Sequence, residues 1–197
     1  MKYLSIDIEA TGLQENCLII EFAMIPFDTQ FMRLEDKLAR TFYIHCPSYE
    51  DLEPTLDPWV KEHNEKLIRK AHKDGLMMSE FKETLQKYLE SHEVKEYFNN
   101  QKVVLFGKSM NAIDLPFLNR DLGWEFMRKY FHHRVMDFSS FCYGVMDLGL
   151  LPQGMDSGSK LMNFLGMGDV AHTALEDARN TAIMYFKVLE KFGKKNN

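Results

Sequence analysis

The chain has 197 residues, of which 45% are hydrophobic and 27% are charged, and its formal net charge is −5. This composition is that of a globular protein, and a chain of this size can bury about 70% of its unfolded surface, so it needs no disulfides to fold. Strong non-specific binding of long nucleic acids depends on lysine and arginine side chains that neutralise phosphates, and the negative net charge excludes it. Any nucleic-acid substrate should therefore be short or held by local contacts.

The first predicted element is a strand over residues 3–9, with the sequence YLSIDIE. Side chains in a strand alternate between its two faces, so the leucine and both isoleucines share one face, while Asp7 and Glu9 lie together on the other. Two carboxylates this close repel each other, and burying either without a partner costs several kcal/mol. Because a multivalent cation relieves both effects, the pair predicts a metal site.

The remaining elements are predicted from hydrophobic periodicity and from turn residues. Further strands are expected at 17–27, 40–46, 102–106 and 135–138, and helices at 59–73, from Ser79 onwards, and at 115–122, 124–132, 139–148, 159–165 and 173–192. Three successive strands followed by strands alternating with helices indicate a mixed sheet covered by helices. We therefore expect an α/β fold in a single domain over 1–193, with a polar C-terminal tail at 194–197.

Two more acids stand near predicted helix starts. Asp114 lies at the entry of the 115–122 helix, where a helix cap is the simplest interpretation. Thr173 and Glu176 have the spacing of a capping box, which places His172 just before the last helix and Asp177 at the end of its first turn. Taken singly, a helix cap is the better explanation of Asp114, and a surface histidine is the better explanation of His172.

Taken together, these residues resemble the DEDDh 3′–5′ exonucleases. The matching stretches are 6–13 (IDIEATGL), 111–118 (NAIDLPFL) and 172–178 (HTALEDA), and they span nearly the whole chain in the order found in that family. The resemblance implies an RNase H-like fold with a five-stranded mixed sheet, and phosphodiester hydrolysis assisted by two Mg²⁺ or Mn²⁺ ions. Such hard ions prefer carboxylate ligands.

The same resemblance assigns roles to five side chains. The expected metal ligands are Asp7, Glu9, Asp114 and Asp177. His172 is the expected general base that takes a proton from the attacking water, a role that suits an unperturbed pKa of about 6.5.

A narrower resemblance points to oligoribonuclease, which finishes RNA decay on very short oligonucleotides. The matching segments are 56–63 (LDPWVKEH) and 130–140 (YFHHRVMDFSS). The resemblance implies that Leu13 and Trp59 wedge the substrate bases, and that a set of polar residues caps the 5′ phosphate: Ser109, Arg134, Ser139 and Ser140. His133 stands where that family has a tyrosine that reaches the partner subunit, which implies a homodimer. Core packing for Trp59 and a surface ion pair for Arg134 are the alternative interpretations.

The predicted activity is therefore 3′–5′ hydrolysis of short single-stranded RNA, down to dinucleotides, to nucleoside 5′-monophosphates. Residues 159–166 resemble proofreading exonucleases and RNase T more than oligoribonuclease, and the preceding loop, 149–158, is long. A DNA-trimming or RNase T-like exonuclease that accepts single-stranded DNA is therefore an alternative. A non-catalytic nucleic-acid-binding module is a third interpretation, and a nucleotide phosphatase that uses the same metals is a fourth.

The three cysteines, Cys17, Cys46 and Cys142, are widely spaced and form no C-x-x-C pair. This pattern favours reduced thiols over a disulfide framework or a zinc site. The sequence begins without the pattern of a signal peptide and has no apolar run of roughly 20 residues, so we expect a cytoplasmic protein without a membrane segment.

Overall fold

The computed structural model describes residues 1–168 and 173–193, and within these ranges the chain forms six strands and nine α-helices. The strands are β1 (Lys2–Ala10), β2 (Ile19–Asp28), β3 (Arg33–Leu34), β4 (Arg40–Tyr43), β5 (Leu105–Gly107) and β6 (Met136–Asp137). The helices are α1 (Tyr49–Leu52), α2 (Pro58–Asp74), α3 (Met78–Glu90), α4 (His92–Tyr97), α5 (Asp114–Leu122), α6 (Trp124–Tyr130), α7 (Phe138–Asp147), α8 (Gly158–Phe164) and α9 (Ala174–Phe192). The predicted tail at 194–197 lies outside the described residues.

All six strands belong to one mixed sheet in the order β3-β2-β1-β5-β6, with β4 also paired to β2. β1 and β2 run antiparallel over their full length, whereas β5 is parallel to β1 and β6 is parallel to β5. β3 and β4 pair with successive parts of β2, so these two short strands share one position in the sheet. The predicted mixed α/β fold, with its sheet flanked by helices, is confirmed.

The two faces of β1 contact different layers of helices. Leu4 and Ile6 are buried in a hydrophobic cluster formed with α3, α5 and α6. On the opposite face, Tyr3 packs in a second cluster with α7 and α9, and the Ser5 hydroxyl donates a 2.7 Å hydrogen bond to the Ala178 carbonyl oxygen of α9. The predicted alternation along β1 is confirmed, and its acidic face is the one turned towards α9.

The parallel strands bring their carboxyl ends to the same edge of the sheet. Glu9 and Ala10 end β1, Gly107 ends β5, and Asp137 ends β6. The residues that follow parallel strands form crevices at such an edge, which is where ligands bind in open α/β sheets. Within the described part of the chain, no helix is long and apolar enough to cross a membrane.

Candidate active site

A cleft of about 580 Å³ opens at this edge of the sheet. Its walls come from the end of β1, the start of α2, the segment that links β5 to α5, and helices α8 and α9. All four carboxylates that the sequence predicts as metal ligands line it: Asp7, Glu9, Asp114 and Asp177.

Three of these carboxylates form a compact cluster. Asp7, Glu9 and Asp177 each offer an oxygen atom, and these atoms all lie within 4.8 Å of one another. Asp177 reaches the cluster because α9 begins just before it: the Thr173 hydroxyl accepts a hydrogen bond from the Glu176 backbone N–H at 3.3 Å. The predicted helix start at Thr173 is therefore what brings an acid 170 positions along the chain to the two acids of β1.

Burial and charge repulsion act on Asp7 in the same direction. Burial is the largest cause that raises its pKa well above the ordinary range, and the nearby carboxylates of Asp114, Glu9 and Asp177 raise it further. The Lys108 ammonium acts in the opposite direction. A bound cation would remove this electrostatic cost.

Asp114 is the first residue of α5 and is only 4% exposed. The cap position belongs to Ile113, so the interpretation of Asp114 as a helix cap does not hold. Burial raises the pKa of Asp114 to about 7; backbone hydrogen bonds from Asp114 itself and from Ile8 act against the shift, and the carboxylates of Asp137 and Glu9 add to it. A carboxyl group this buried, facing a cleft, is a typical functional-site residue.

The donor set fits a hard divalent cation. Within the described residues, the cluster offers carboxylate oxygens alone, with no thiol or imidazole, and oxygen is what Mg²⁺ and Mn²⁺ prefer. The fourth acid, Asp114, lines the same cleft. His172, the predicted general base, lies outside the described residues.

The two predicted base-wedge residues stand at the rim of the cleft. Leu13 is 73% exposed and Trp59 is 57% exposed, and both line the cleft. The Trp59 ring stacks on His63, with ring centroids 4.4 Å apart and an interplanar angle of 11°. Core packing therefore does not explain Trp59, and a flat aromatic surface is available to a ligand.

The residues predicted to cap the 5′ phosphate are only partly brought together. Ser109 lines the cleft, and its hydroxyl oxygen lies 3.1 Å from that of Ser139. Ser140 is exposed on the first turn of α7, and its backbone N–H donates to Asp137. Arg134 and His133 are also exposed, and among the described residues that line the cleft none of these last three is present. Their role in binding a 5′ phosphate stays a prediction.

Sequence reasoning missed Asn64, which is buried on α2. Its side-chain N–H group donates to a Glu9 carboxylate oxygen at 3.4 Å and to the Ala10 carbonyl oxygen at 3.5 Å. The signal in the sequence was a polar residue within the apolar stripe of α2, between Val60 and Ile68. Asn64 therefore orients a carboxylate of the cluster.

Two more cleft residues were missed. Lys108 lies against α8, since a Cβ added at Gly158 would sit 2.7 Å from its ammonium nitrogen. Asn180 is one turn after Asp177 and is 6% exposed, and within the described residues its side-chain nitrogen has no hydrogen-bond partner. Both side chains offer N–H donors in a cleft whose other charged groups, among the described residues, are all carboxylates.

The model of the RNase_T family, described as an exonuclease family, matches residues 4–185. No significant match was found among curated proteins.

Several solved structures share the fold. Cell-death related nuclease 4 superposes with a TM-score of 0.68 at 14% identity, over 97% of this chain and 64% of that one. Pop2p of S. pombe, in its Mg²⁺- and Mn²⁺-bound form, superposes with a TM-score of 0.69 at 15% identity, over 96% of this chain and 83% of Pop2p. A full-length 3′-exonuclease superposes with a TM-score of 0.65 at 17% identity, over 96% of this chain and 81% of the exonuclease. The chain thus spans less than two thirds of the length of nuclease 4. At these identities, the likeness establishes the fold.

Proposed function

Because this chain belongs to the RNase_T family of exonucleases, we propose that it is a metal-dependent 3′–5′ exoribonuclease acting on short oligoribonucleotides. It would degrade them, down to dinucleotides, to nucleoside 5′-monophosphates. The observation that carries the proposal is the carboxylate cluster of Asp7, Glu9 and Asp177, whose oxygens lie within 4.8 Å of one another inside a cleft rimmed by Leu13 and Trp59.

The metal ions would be held by the four acids of the cleft. Asp7, Glu9 and Asp177, which form the compact cluster, would hold the ions together with the buried carboxylate of Asp114. When bound, a pair of divalent ions supplies an activated water and stabilises charge on the leaving oxygen of a phosphodiester.

The chain's own residues would place the substrate against this centre. Leu13 and Trp59 would hold the terminal bases, since stacking of a base on an aromatic ring contributes about 1–3 kcal/mol. Lys108 would attract the phosphodiester, which carries the opposite charge. The side-chain N–H group of Asn180, which has no partner within the described residues, would donate to a phosphate or sugar oxygen. His172 would remove the proton from the attacking water.

An RNase T-like or DNA-trimming exonuclease is the second candidate, and two observations favour it. Ser159, Met162 and Asn163 bring α8 into the cleft, at the segment whose sequence resembles proofreading exonucleases. In addition, Arg134 and Ser140 are exposed rather than part of the described cleft lining, so a 5′ cap that restricts substrate length is not assembled there. Turnover rates for RNA dinucleotides and for single-stranded DNA of about 20 residues, measured side by side, separate the two candidates.

Incubation of the purified chain with Mg²⁺ or Mn²⁺ and 5′-labelled RNAs of roughly two to seven nucleotides tests the proposal. We expect stepwise shortening from the 3′ end, release of nucleoside 5′-monophosphates, and complete inhibition by a chelator. Asp7→Asn should abolish turnover, whereas Glu83→Gln, at an exposed acid on α3, should leave it unchanged.

Two results would overturn the proposal. RNAs that stay intact but bind would point to a non-catalytic nucleic-acid-binding module. Equal activity of Asp7→Asn and the unmodified protein would mean that the hydrolysis comes from a contaminating nuclease.

A further inference from the structure

Both tryptophans of this chain are exposed, although tryptophan is normally among the more buried residue types. Trp59 is explained by its place at the rim of the active-site cleft. Trp124, the first residue of α6, is 65% exposed and lies outside that cleft. It lines a second cavity of about 200 Å³, which we call the Trp124 cavity.

The Trp124 cavity is basic, in contrast to the acidic chain as a whole. Among the described residues, its ionisable lining consists of bases alone, without any aspartate or glutamate: Lys102, Arg128, His132 and His133. The rest of its wall is apolar apart from Asn119. A local cluster of cations around an aromatic ring is the feature that binds phosphates and bases without requiring a basic protein.

The side chains of the cavity are held in place by contacts among themselves. The Arg128 guanidinium carbon lies 5.3 Å from the centre of the Trp124 ring, and the Lys102 ammonium donates to the Arg128 carbonyl oxygen. His132 accepts a 3.0 Å hydrogen bond from the Arg134 backbone N–H through Nδ1, so in the neutral ring the proton lies on Nε2. The rings of His132 and His133 stack with centroids 4.4 Å apart.

The positive field of this group is evident at His133. Its pKa is lowered, first by His132, then by partial loss of hydration, and then by Arg134, Arg128 and Lys102. Several bases therefore act on one point of the surface, where an anion would relieve their mutual repulsion.

We propose that the Trp124 cavity is a second binding site for single-stranded nucleic acid. A base would stack on Trp124, and the phosphates beside it would contact Arg128, Lys102 and His132. Arginine suits this place because its guanidinium can donate two parallel hydrogen bonds to a phosphate.

The position of the cavity connects it to the active-site cleft. Helix α5 begins at Asp114 in the cleft, and Leu115 and Asn119 of the same helix line the Trp124 cavity. Asn119 lies five residues after Asp114, about 7.5 Å along the helix axis. Asn119 is also rotated by roughly 140° from Asp114 about that axis, so a strand of several nucleotides whose 3′ end is in the cleft would pass around α5 to reach the cavity. The inference rests on the proposed nuclease function and deepens it, because it assigns the 5′ part of a longer substrate.

A second copy of this chain is the competing occupant, and it is the less favoured one. Protein–protein interfaces typically contain less lysine than the rest of the surface. Lys102, by contrast, lines this cavity. The experiment below therefore measures molecular mass together with binding.

Binding is measured by fluorescence anisotropy, with the inactive Asp7→Asn protein in a chelator and labelled RNAs of two lengths, a dinucleotide and about ten nucleotides. We expect Trp124→Ala and Arg128→Gln each to weaken decamer binding roughly fivefold or more, and to narrow the difference in affinity between decamer and dinucleotide. Trp124→Phe, which keeps an aromatic face, should restore most of the binding. Lys87→Gln, at an exposed cation on α3, is the matched control and should bind as the parent does.

Decamer affinities that are unchanged in Trp124→Ala and Arg128→Gln would overturn the inference and leave the nuclease proposal intact. Light scattering could instead show that Trp124→Ala and Arg128→Gln convert a dimer to a monomer, and that this change accounts for the lost affinity. That result would also overturn the inference and would assign the cavity to a dimer interface. The binding measurement needs no turnover, so failure of the nuclease proposal would be seen separately, as absence of hydrolysis by the unmodified chain.

Discussion

Asn64 on α2 donates a hydrogen bond to Glu9 at the end of β1, with 3.4 Å between the amide nitrogen and the carboxylate oxygen. The same helix carries Trp59 at the rim of the cleft. One helix therefore orients a proposed metal ligand and presents the proposed base wedge, so the two parts of the site are mechanically connected.

Replacing Asn64 with leucine should separate activity from stability. Leucine fits the apolar stripe of α2, so the thermal midpoint should be retained, whereas loss of the hydrogen bond to Glu9 should weaken metal binding by about 10- to 100-fold. The measurement is the Mn²⁺ concentration that gives half-maximal activity. Asn163→Leu, at an exposed cleft residue of α8, is the control for a general effect of leucine in the cleft. An unchanged Mn²⁺ requirement in Asn64→Leu would show that Asn64 has only a packing role.

The stability of the metal-free protein should fall as the pH rises. The pKa of Asp114 is about 7 in the folded chain, compared with 3.8 for an aspartate in the unfolded chain. Because the folded value is the higher one, the stabilising contribution is complete below about pH 3.8 and is lost as the pH rises through 7. Each unit of difference corresponds to about 1.4 kcal/mol, so the loss should be several kcal/mol.

Thermal midpoints between pH 5 and 8, in a chelator, measure this effect. Asp114→Asn should make the profile less steep without abolishing the slope, because the raised pKa of Asp7 acts in the same direction, whereas Asp147→Asn, at an exposed acid at the end of α7, should leave it unchanged. Mn²⁺ should restore stability to the unmodified protein most strongly at the alkaline end, because the ion binds the ionised carboxylates. A profile of Asp114→Asn as steep as that of the parent would contradict the assignment of this loss to Asp114.

Truncation of the rim tryptophan should affect binding and leave stability almost unchanged. The Trp59 ring is largely exposed, so Trp59→Ala should change the free energy of unfolding by about 0.5 kcal/mol or less. Loss of one stacked base should raise KM for short RNA by roughly fivefold to 150-fold. Phe31→Ala, at an exposed aromatic residue between β2 and β3, should leave KM unchanged. Equal KM values for the parent and Trp59→Ala would remove Trp59 from the substrate site.

Local rules were sufficient for much of the fold, whereas the acids of the cleft were predicted from the resemblance to the DEDDh exonucleases. Alternation along β1 and the capping box at Thr173 each fix a side chain's direction within a few residues, but neither rule says that the acids of β1 and α9 meet. Short elements were missed, such as α4 and β3, because six and two residues are too few to show a period. Asn64 and Lys108 were missed because their partners lie on other elements: the polar residue in the apolar stripe of α2 marks Asn64 as unusual, but the local sequence does not identify what it contacts.

Asn180 gives the sharpest test of substrate binding, because its buried side-chain nitrogen has no hydrogen-bond partner within the described residues. A buried donor left without a partner costs about 1–3 kcal/mol, a cost that an acceptor atom of the substrate would remove. Asn180→Ala removes that unsatisfied donor, at the expense of some packing, and we expect little change in the thermal midpoint but a clear rise in KM for RNA.

The matched control is the other buried polar atom without a partner in the described residues, the Tyr97 hydroxyl. Tyr97 is on α4 and is not among the described residues that line the cleft. Tyr97→Phe should therefore hold or raise the thermal midpoint and leave KM unchanged. If KM is also unchanged in Asn180→Ala, the Asn180 amide has only a structural role. If KM rises in Asn180→Ala and not in Tyr97→Phe, the Asn180 amide contacts the substrate.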